Sequence, residues 1–249
     1  MRDTQITPLL SIACLVVLWI VAAFLTADPQ ILPQPWDLLP RFRQELASGD
    51  LQRNLGVTLL RVMWAFALAM VLGSVIGLSM GRSVAINRWL DPWLVIFLNL
   101  PALVLIVLCY LWIGLTEAAA ITAVTLNKIP NVATILREGG RALNPDLDAM
   151  AQVYRLPWRT RLRHVILPQL APFIAAAARS GLSLIWKIVL VVEFLGRSSG
   201  VGFQIHLYFQ LFDVAMVLVY AFSFIAVMLL VEWLVLQPWE RQVRSWRTA

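Results

Sequence analysis

Residues 149–172 read AMAQVYRLPWRTRLRHVILPQLAP. Arg155, Arg159, Arg161, Arg163 and His164 fall within ten positions, and no acid follows before Glu193. Long apolar stretches lie on both sides. A dense cationic segment between oily runs is a topology signal, because arginine and lysine concentrate in the short cytoplasmic loops of membrane-spanning chains.

The composition agrees. The chain is 60% hydrophobic and 14% charged, with mean hydropathy +0.78, whereas soluble domains run nearer half apolar and a quarter charged. A formal charge of +6 could suggest nucleic acid. Nucleic-acid binders spread basic residues over a polar face, however, and here they sit between apolar runs. Cys14 and Cys109 lie inside such runs without CxxC or metal spacing, which predicts two small buried hydrophobes.

A helix needs about 20 apolar residues to cross a bilayer. Six runs qualify, at 8–26, 55–80, 92–112, 118–136, 170–192 and 214–236. The first has only Arg2 before it and no clear cleavage site after it, so it reads as an uncleaved anchor. With the N-terminus cytoplasmic, twelve arginines fall inside (2, 82, 88, 137, 141, 155, 159, 161, 163, 241, 244, 247) and four outside (41, 43, 53, 197). That bias places both termini and the quoted loop in the cytoplasm. The chain divides into an anchor with an interfacial segment (1–54), a core (55–236) with a cytoplasmic loop at 137–168, and a basic tail (237–249). Within 27–54, LLPRFRQELASGDL has the pattern of a short amphipathic helix at the interface. Gly73, Gly77 and Gly81 form a small-residue ladder for close helix contact, within the chain or between subunits.

No nucleotide-binding loop is possible, since the only lysines are Lys128 and Lys187 and neither follows a glycine. GRSSG at 196–200 fits a nucleophile motif, with His206 and Asp213 downstream. That motif requires a strand before the serine, and here a membrane run precedes it, so hydrolase chemistry is disfavoured. His164 has no second histidine or carboxylate cluster for a metal, and reads as a polar loop residue. An ion-coupled secondary transporter would use intramembrane carboxylates, and Glu232 reads as the only acid deep in a span.

VILP at 165–168 resembles the end of the cytoplasmic signature of binding-protein-dependent ABC importer permeases, E-A-A, three residues, Gly, nine residues, I-x-L-P. In that register Ala149, Met150 and Ala151 occupy the E-A-A positions and Arg155 the glycine, with Asp148 one residue before. The family's glutamate and glycine are thus alanine and arginine here. SGDLQRNLGVTLLRVMWAFALAMVLGSVIGLSMGRS, LDPWLVIFLNLPALVLIVLCYLWIGLT and WKIVLVVEFLGRSSGVGFQI are similar to further family stretches, and the nitrate, sulfonate and taurine group is the best match. The resemblance implies an all-α type I importer permease in the bacterial inner membrane. It implies alternating access without chemistry of its own, ATP and Mg held by separate ATPase subunits, a second permease copy in a homodimer and a periplasmic binding protein. It also implies that the loop forms a short coupling helix seated on the ATPase.

Local signals fit such a helix: Asn144 as N-cap, Pro145 in the first turn, and Asp146 and Asp148 where the helix dipole favours acids. Met150, Val153, Tyr154 and Leu156 supply an apolar surface, and Pro157 ends the segment or begins a second turn. The candidate coupling residues are Asp148, Ala149, Met150, Ala151, Tyr154, Arg155, Leu156, Pro157 and Arg159; the arginines serve either ATPase carboxylates or anionic lipid. Pro101 and Pro130 are expected to interrupt spans three and four, leaving Asn99, Asn127 and Lys128 as pathway groups. Arg179, Ser183 and Lys187 recur at i, i+4, i+8 on one face. That stripe suits an anionic solute, or pairs with Glu193 or Glu232, and Glu193 is itself a pathway candidate.

Overall fold

The computed structural model describes residues 3–26 and 28–238. Arg2 and the basic tail beyond 238 lie outside the described residues, so the charge asymmetry they contribute has no structural counterpart. In hydrocarbon every backbone polar group must be satisfied within its own segment, and each apolar run accordingly becomes helix. The helices are α1 (Asp3–Thr26), α2 (Pro35–Ser48), α3 (Asp50–Arg82), α4 (Val84–Asn99), α5 (Ala102–Ile113), α6 (Glu117–Arg141), α7 (Pro145–Val153), α8 (Trp158–Arg161), α9 (Leu167–Gly196), α10 (Val201–Gln210) and α11 (Val214–Val231). A π-helical turn, Leu162–Ile166, joins α8 to α9, and a second, Glu232–Leu236, extends α11.

Six continuous crossings are not what the described residues contain. Four stretches are long and apolar enough: Asp50–Arg82, Glu117–Arg141, Trp158–Gly196 and Val214–Leu234. Helices α4 and α5 make a fifth only as a broken pair, bent by 98°, and Leu10–Thr26 is a shorter apolar helix. The break falls where expected. Pro101 has no N–H to continue the ladder, and Leu100 before it is extended, at φ −74° and ψ 123°. Pro130, by contrast, lies inside an uninterrupted α6. It is buried there, and the Thr134 hydroxyl donates to its carbonyl at 2.9 Å, so packing and a side chain hold the turn together.

Helix α6 is the axis of the bundle, packed against α3, α9 and α5. The glycine ladder serves this intrachain contact. A Cβ on Gly77 would lie 2.9 Å from the Ala133 Cα, and one on Gly81 2.9 Å from the Gly140 Cα. The main core joins α3, α5, α6, α9 and α11 through Val62, Ile106, Val124, Ile185, Trp186 and Tyr220. Cys109 belongs to it, whereas Cys14 is exposed: α1 touches the bundle through Trp19, against Phe222 and α2, and buries Ala23, while Leu15, Leu18, Phe24 and Leu25 face outward.

Helix α2 starts earlier than its apolar pattern indicates, because Pro35 is tolerated at the first helical position and Gln34 and Asp37 form a capping box. It is tied down rather than free at an interface. Leu38 packs on Ala215 and Val219, Arg41 pairs with Asp213, and the Tyr220 hydroxyl donates to Glu45 at 2.5 Å.

Candidate functional site

At one end of the bundle, α6 and α9 are joined by α7. The Asn144 side chain accepts from the Asp146 N–H at 2.8 Å, Pro145 opens the helix, and Asp146 and Asp148 sit in its first turn. Asp148 does not point outward as an isolated acid. Its Oδ2 lies 2.7 Å from both Arg82 at the end of α3 and Arg161 in α8. The Arg161 hydrogen bond, helped by Arg82, holds this carboxyl below the usual aspartate range. One side chain thus fixes α7 to the helices before and after it.

Tyr154 closes α7, and Arg155 adopts φ +48°. This is the register position where the family has glycine, and left-handed backbone is what glycine allows without strain. The turn is held by Arg155 N–H to Gln152 O at 3.0 Å and Leu156 N–H to Ala151 O at 2.9 Å. Pro157, extended, then starts α8, so Trp158–Gly196 runs as one 39-residue helical stretch. Of the coupling candidates, Ala149, Met150, Tyr154, Arg155, Pro157 and Arg159 are exposed, Leu156 is half-buried, and Ala151 is buried against the bundle. Leu147, Val153 and Trp158 extend the exposed apolar surface.

At the opposite end lies a buried ionic network that the sequence reading missed. Arg61, 4% exposed, pairs its Nη1 with Glu193, 0% exposed, at 2.6 Å. Its Nε and Nη2 donate to both oxygens of Glu117 at 2.8 and 2.6 Å, and Nη1 also reaches the Ser199 carbonyl at 2.7 Å. Glu193 further accepts from the Gly202 N–H at 2.8 Å, with the Thr58 hydroxyl 2.9 Å away. Asn54 accepts from the Gly200 N–H at 2.9 Å. The signal was present: Asn54, Thr58 and Arg61 recur at helical spacing in an otherwise apolar run.

This network explains GRSSG. Gly200 has φ +105°, and a Cβ there would collide with the Glu193 carboxylate, so the motif is a turn wrapped around a buried acid. The hydrolase arrangement is not formed: Asp213 is engaged by Arg41 and by the N-cap of α11, and His206 Nε2 lies 2.9 Å from Gln210. Glu193, not Glu232, is the deeply buried acid; Glu232 is exposed.

The pathway candidates separate into three places. Lys128, 2% exposed, sits inside the bundle with Asn127 half-buried beside it. Arg179, Ser183 and Lys187 lie along an exposed face of α9. Asn99 is exposed at the α4–α5 break and donates to its own Val95 carbonyl at 2.8 Å. Glu193 belongs to the ionic network at the far end. Among the described residues no cluster of three metal-ligating side chains occurs, and His164 lies only near the Thr160 carbonyl.

Comparison with known proteins agrees with this architecture. Residues 69–237 match the family described as binding-protein-dependent transport system inner membrane component. The taurine transport system permease protein TauC of Escherichia coli is 28% identical over 205 residues, covering 79% of this chain and 74% of TauC. The nitrate import permease protein NrtB of Synechocystis is 24% identical over 209 residues, covering 80% of this chain and 75% of NrtB. The fold is shared with a chain of the MetNI methionine ABC transporter in inward-facing form, at TM-score 0.60 and 18% identity, covering 76% of this chain and 92% of that one. A chain of an amino acid ABC transporter crystallised with histidines gives TM-score 0.61 at 21% identity, covering 80% and 97%. The chain is an inner-membrane permease subunit and belongs to the binding-protein-dependent transport system inner membrane component family.

Proposed function

We propose that two copies of this chain form the translocation path of an ATP-driven importer for a small anionic solute, such as a sulfonate, taurine or nitrate. A binding protein outside the membrane delivers the solute, and two ATPase subunits carry ATP and Mg. The end bearing α7 faces the cytoplasm, as do both termini, in keeping with the arginines at 82, 137, 141, 155, 159, 161 and 163.

The observation that carries this reading is the mounting of α7. A nine-residue helix is clamped by Asp148 to α3 and α8 and presents Met150, Tyr154 and Arg155 outward. A rigid, clamped helix transmits the closure of an ATPase dimer, where a mobile loop would absorb it. Arg155 and Arg159 supply donors for ATPase carboxylates, and Ala149 replaces the family's glutamate without offering a charge. Asp148 does not take over that glutamate's outward contact, being engaged inside the chain.

Inverted membrane vesicles with the chain, its ATPase and its binding protein inside test the reading. ATP added outside is expected to drive release of taurine, nitrate or ethanesulfonate preloaded in the lumen, and Tyr154→Asp with Met150→Asp to lower ATPase co-purification at least fivefold. Release that persists without any ATPase but collapses with the proton gradient would sink the proposal.

A further inference from the structure

Lys128 sits midway along α6, about 16 Å from one end of the helix and 20 Å from the other at 1.5 Å per residue. It is 2% exposed, and among the described residues no hydrogen bond or ion pair reaches it. One turn before it, Thr125 is 5% exposed and its hydroxyl is buried without a partner. No acid of the surrounding helices is spare. Glu117 and Glu193 are held by Arg61, Asp91 by Arg137, Glu138 by Arg141, and Asp50 by Arg53. A buried cation without a counter-charge is costly and marks a place where a charge arrives from outside the chain.

A second feature converges on the same level. Helices α5 and α6 form a tight antiparallel hairpin through the turn at 114–116, and Cys109 and Ile106 share a core cluster with Ala120, Ala123 and Val124. One further turn of this register brings the start of α5 level with Lys128. The start of α5, after the break at Pro101, has no side-chain cap, so the Ala102 and Leu103 N–H groups lie free, at a turn where Ala102 is half-buried and Leu103 exposed, while the Val104 N–H is taken by the Pro101 carbonyl at 3.0 Å. Free N–H groups at a helix start favour an anion.

We propose that Lys128, Thr125 and the first turn of α5 form a binding site for a small oxyanion, a sulfonate or nitrate, inside each chain. The site rests on the importer reading for its substrate but not for its geometry. It is distinct from the exposed Arg179–Lys187 stripe, which faces away from this interior. The cation neutralises the oxyanion, while Thr125 and the N–H groups of α5 donate to its oxygens. The break at Pro101 lets α4 move relative to α5 and so open and close the site.

The test uses the reconstituted transporter with nitrate and ethanesulfonate as probes. Lys128→Met is expected to cut ATP-driven uptake at least tenfold while ATP hydrolysis stimulated by the loaded binding protein stays within twofold, and Lys128→Arg to recover part of the uptake. Wild-type uptake in Lys128→Met overturns the site. Should that variant fail to fold, Thr125→Val decides: the half-saturating nitrate concentration should rise about threefold, and an unchanged value overturns the site. Binding is read separately on the purified chain by amine acylation and mass spectrometry, which is clean because only Lys128 and Lys187 are lysines. Nitrate should slow labelling of Lys128 threefold or more relative to chloride and leave Lys187 unaffected. Protection without ATP-driven uptake would uphold the site and overturn the importer reading, and uptake independent of Lys128 would do the reverse.

Discussion

Arg61 is the residue on which most depends. Its guanidinium, buried with Glu193, also serves the exposed Glu117 carboxylate and a carbonyl, and geometry of that quality is what makes a buried ion pair tolerable. Arg61→Met is expected to cost about 3–5 kcal/mol, because it leaves Glu193 buried and uncompensated. The double variant Arg61→Met, Glu193→Met should be more stable than Arg61→Met alone. Thermal unfolding in detergent measures both, and a double variant less stable than the single would refute the account. Arg155 carries the opposite expectation. Relieving its left-handed backbone by Arg155→Gly should stabilise the chain by up to about 1 kcal/mol in the same assay, and a lower midpoint would count against strain there. The Arg61 partners were only half legible. Their spacing on α3 is visible in sequence, but Glu117 and Glu193 lie 56 and 132 residues away, and only folding shows that one guanidinium reaches both.

At the scale of elements, α7 is clamped to its neighbours, and the clamp is electrostatic. Asp148 has its carboxyl held below its ordinary value of about 3.9 by Arg161 and Arg82. A depressed carboxyl contributes stability that is fully present above the unfolded value and is lost as pH falls through the folded one. A spin label at Val153→Cys should therefore stay immobile from pH 8 to about pH 5 and loosen only below about pH 4. Asp148→Asn should mobilise it at every pH, and immobility in that variant would refute the clamp. The boundaries of α7 were readable because caps are local: Asn144, Pro145 and the two acids specify its start within four residues of one another. The continuity of α6 through Pro130 was not, because neighbouring helices and the Thr134 hydroxyl decide whether a proline breaks a helix.

For the molecule as a whole, the outward stripe of Arg179, Ser183 and Lys187 sets a requirement. Charged groups facing hydrocarbon at a helix centre cost about 2.5–3.5 kcal/mol each, so this face of α9 must meet water or another protein surface. The second copy proposed above, across a solvated path, would meet that requirement. Ser183→Cys is expected to cross-link two copies with a short bifunctional maleimide in native membranes, and absence of dimer at high labelling would place the interface elsewhere. Composition and the spacing of apolar runs by themselves determined that the chain is helical and membrane-embedded, and the signature around VILP singled out the loop proposed above to couple to the ATPase. Those properties depend on single residues and their near neighbours, and on the cost of bare backbone in lipid. Only the tertiary structure decided that Glu193 is buried against Arg61 at one end of the bundle, that the glycine ladder packs α3 on α6, and that Lys128 lies buried with no partner among the described residues. Each of these depends on which helices become neighbours, and that is settled by close packing between segments far apart in the chain.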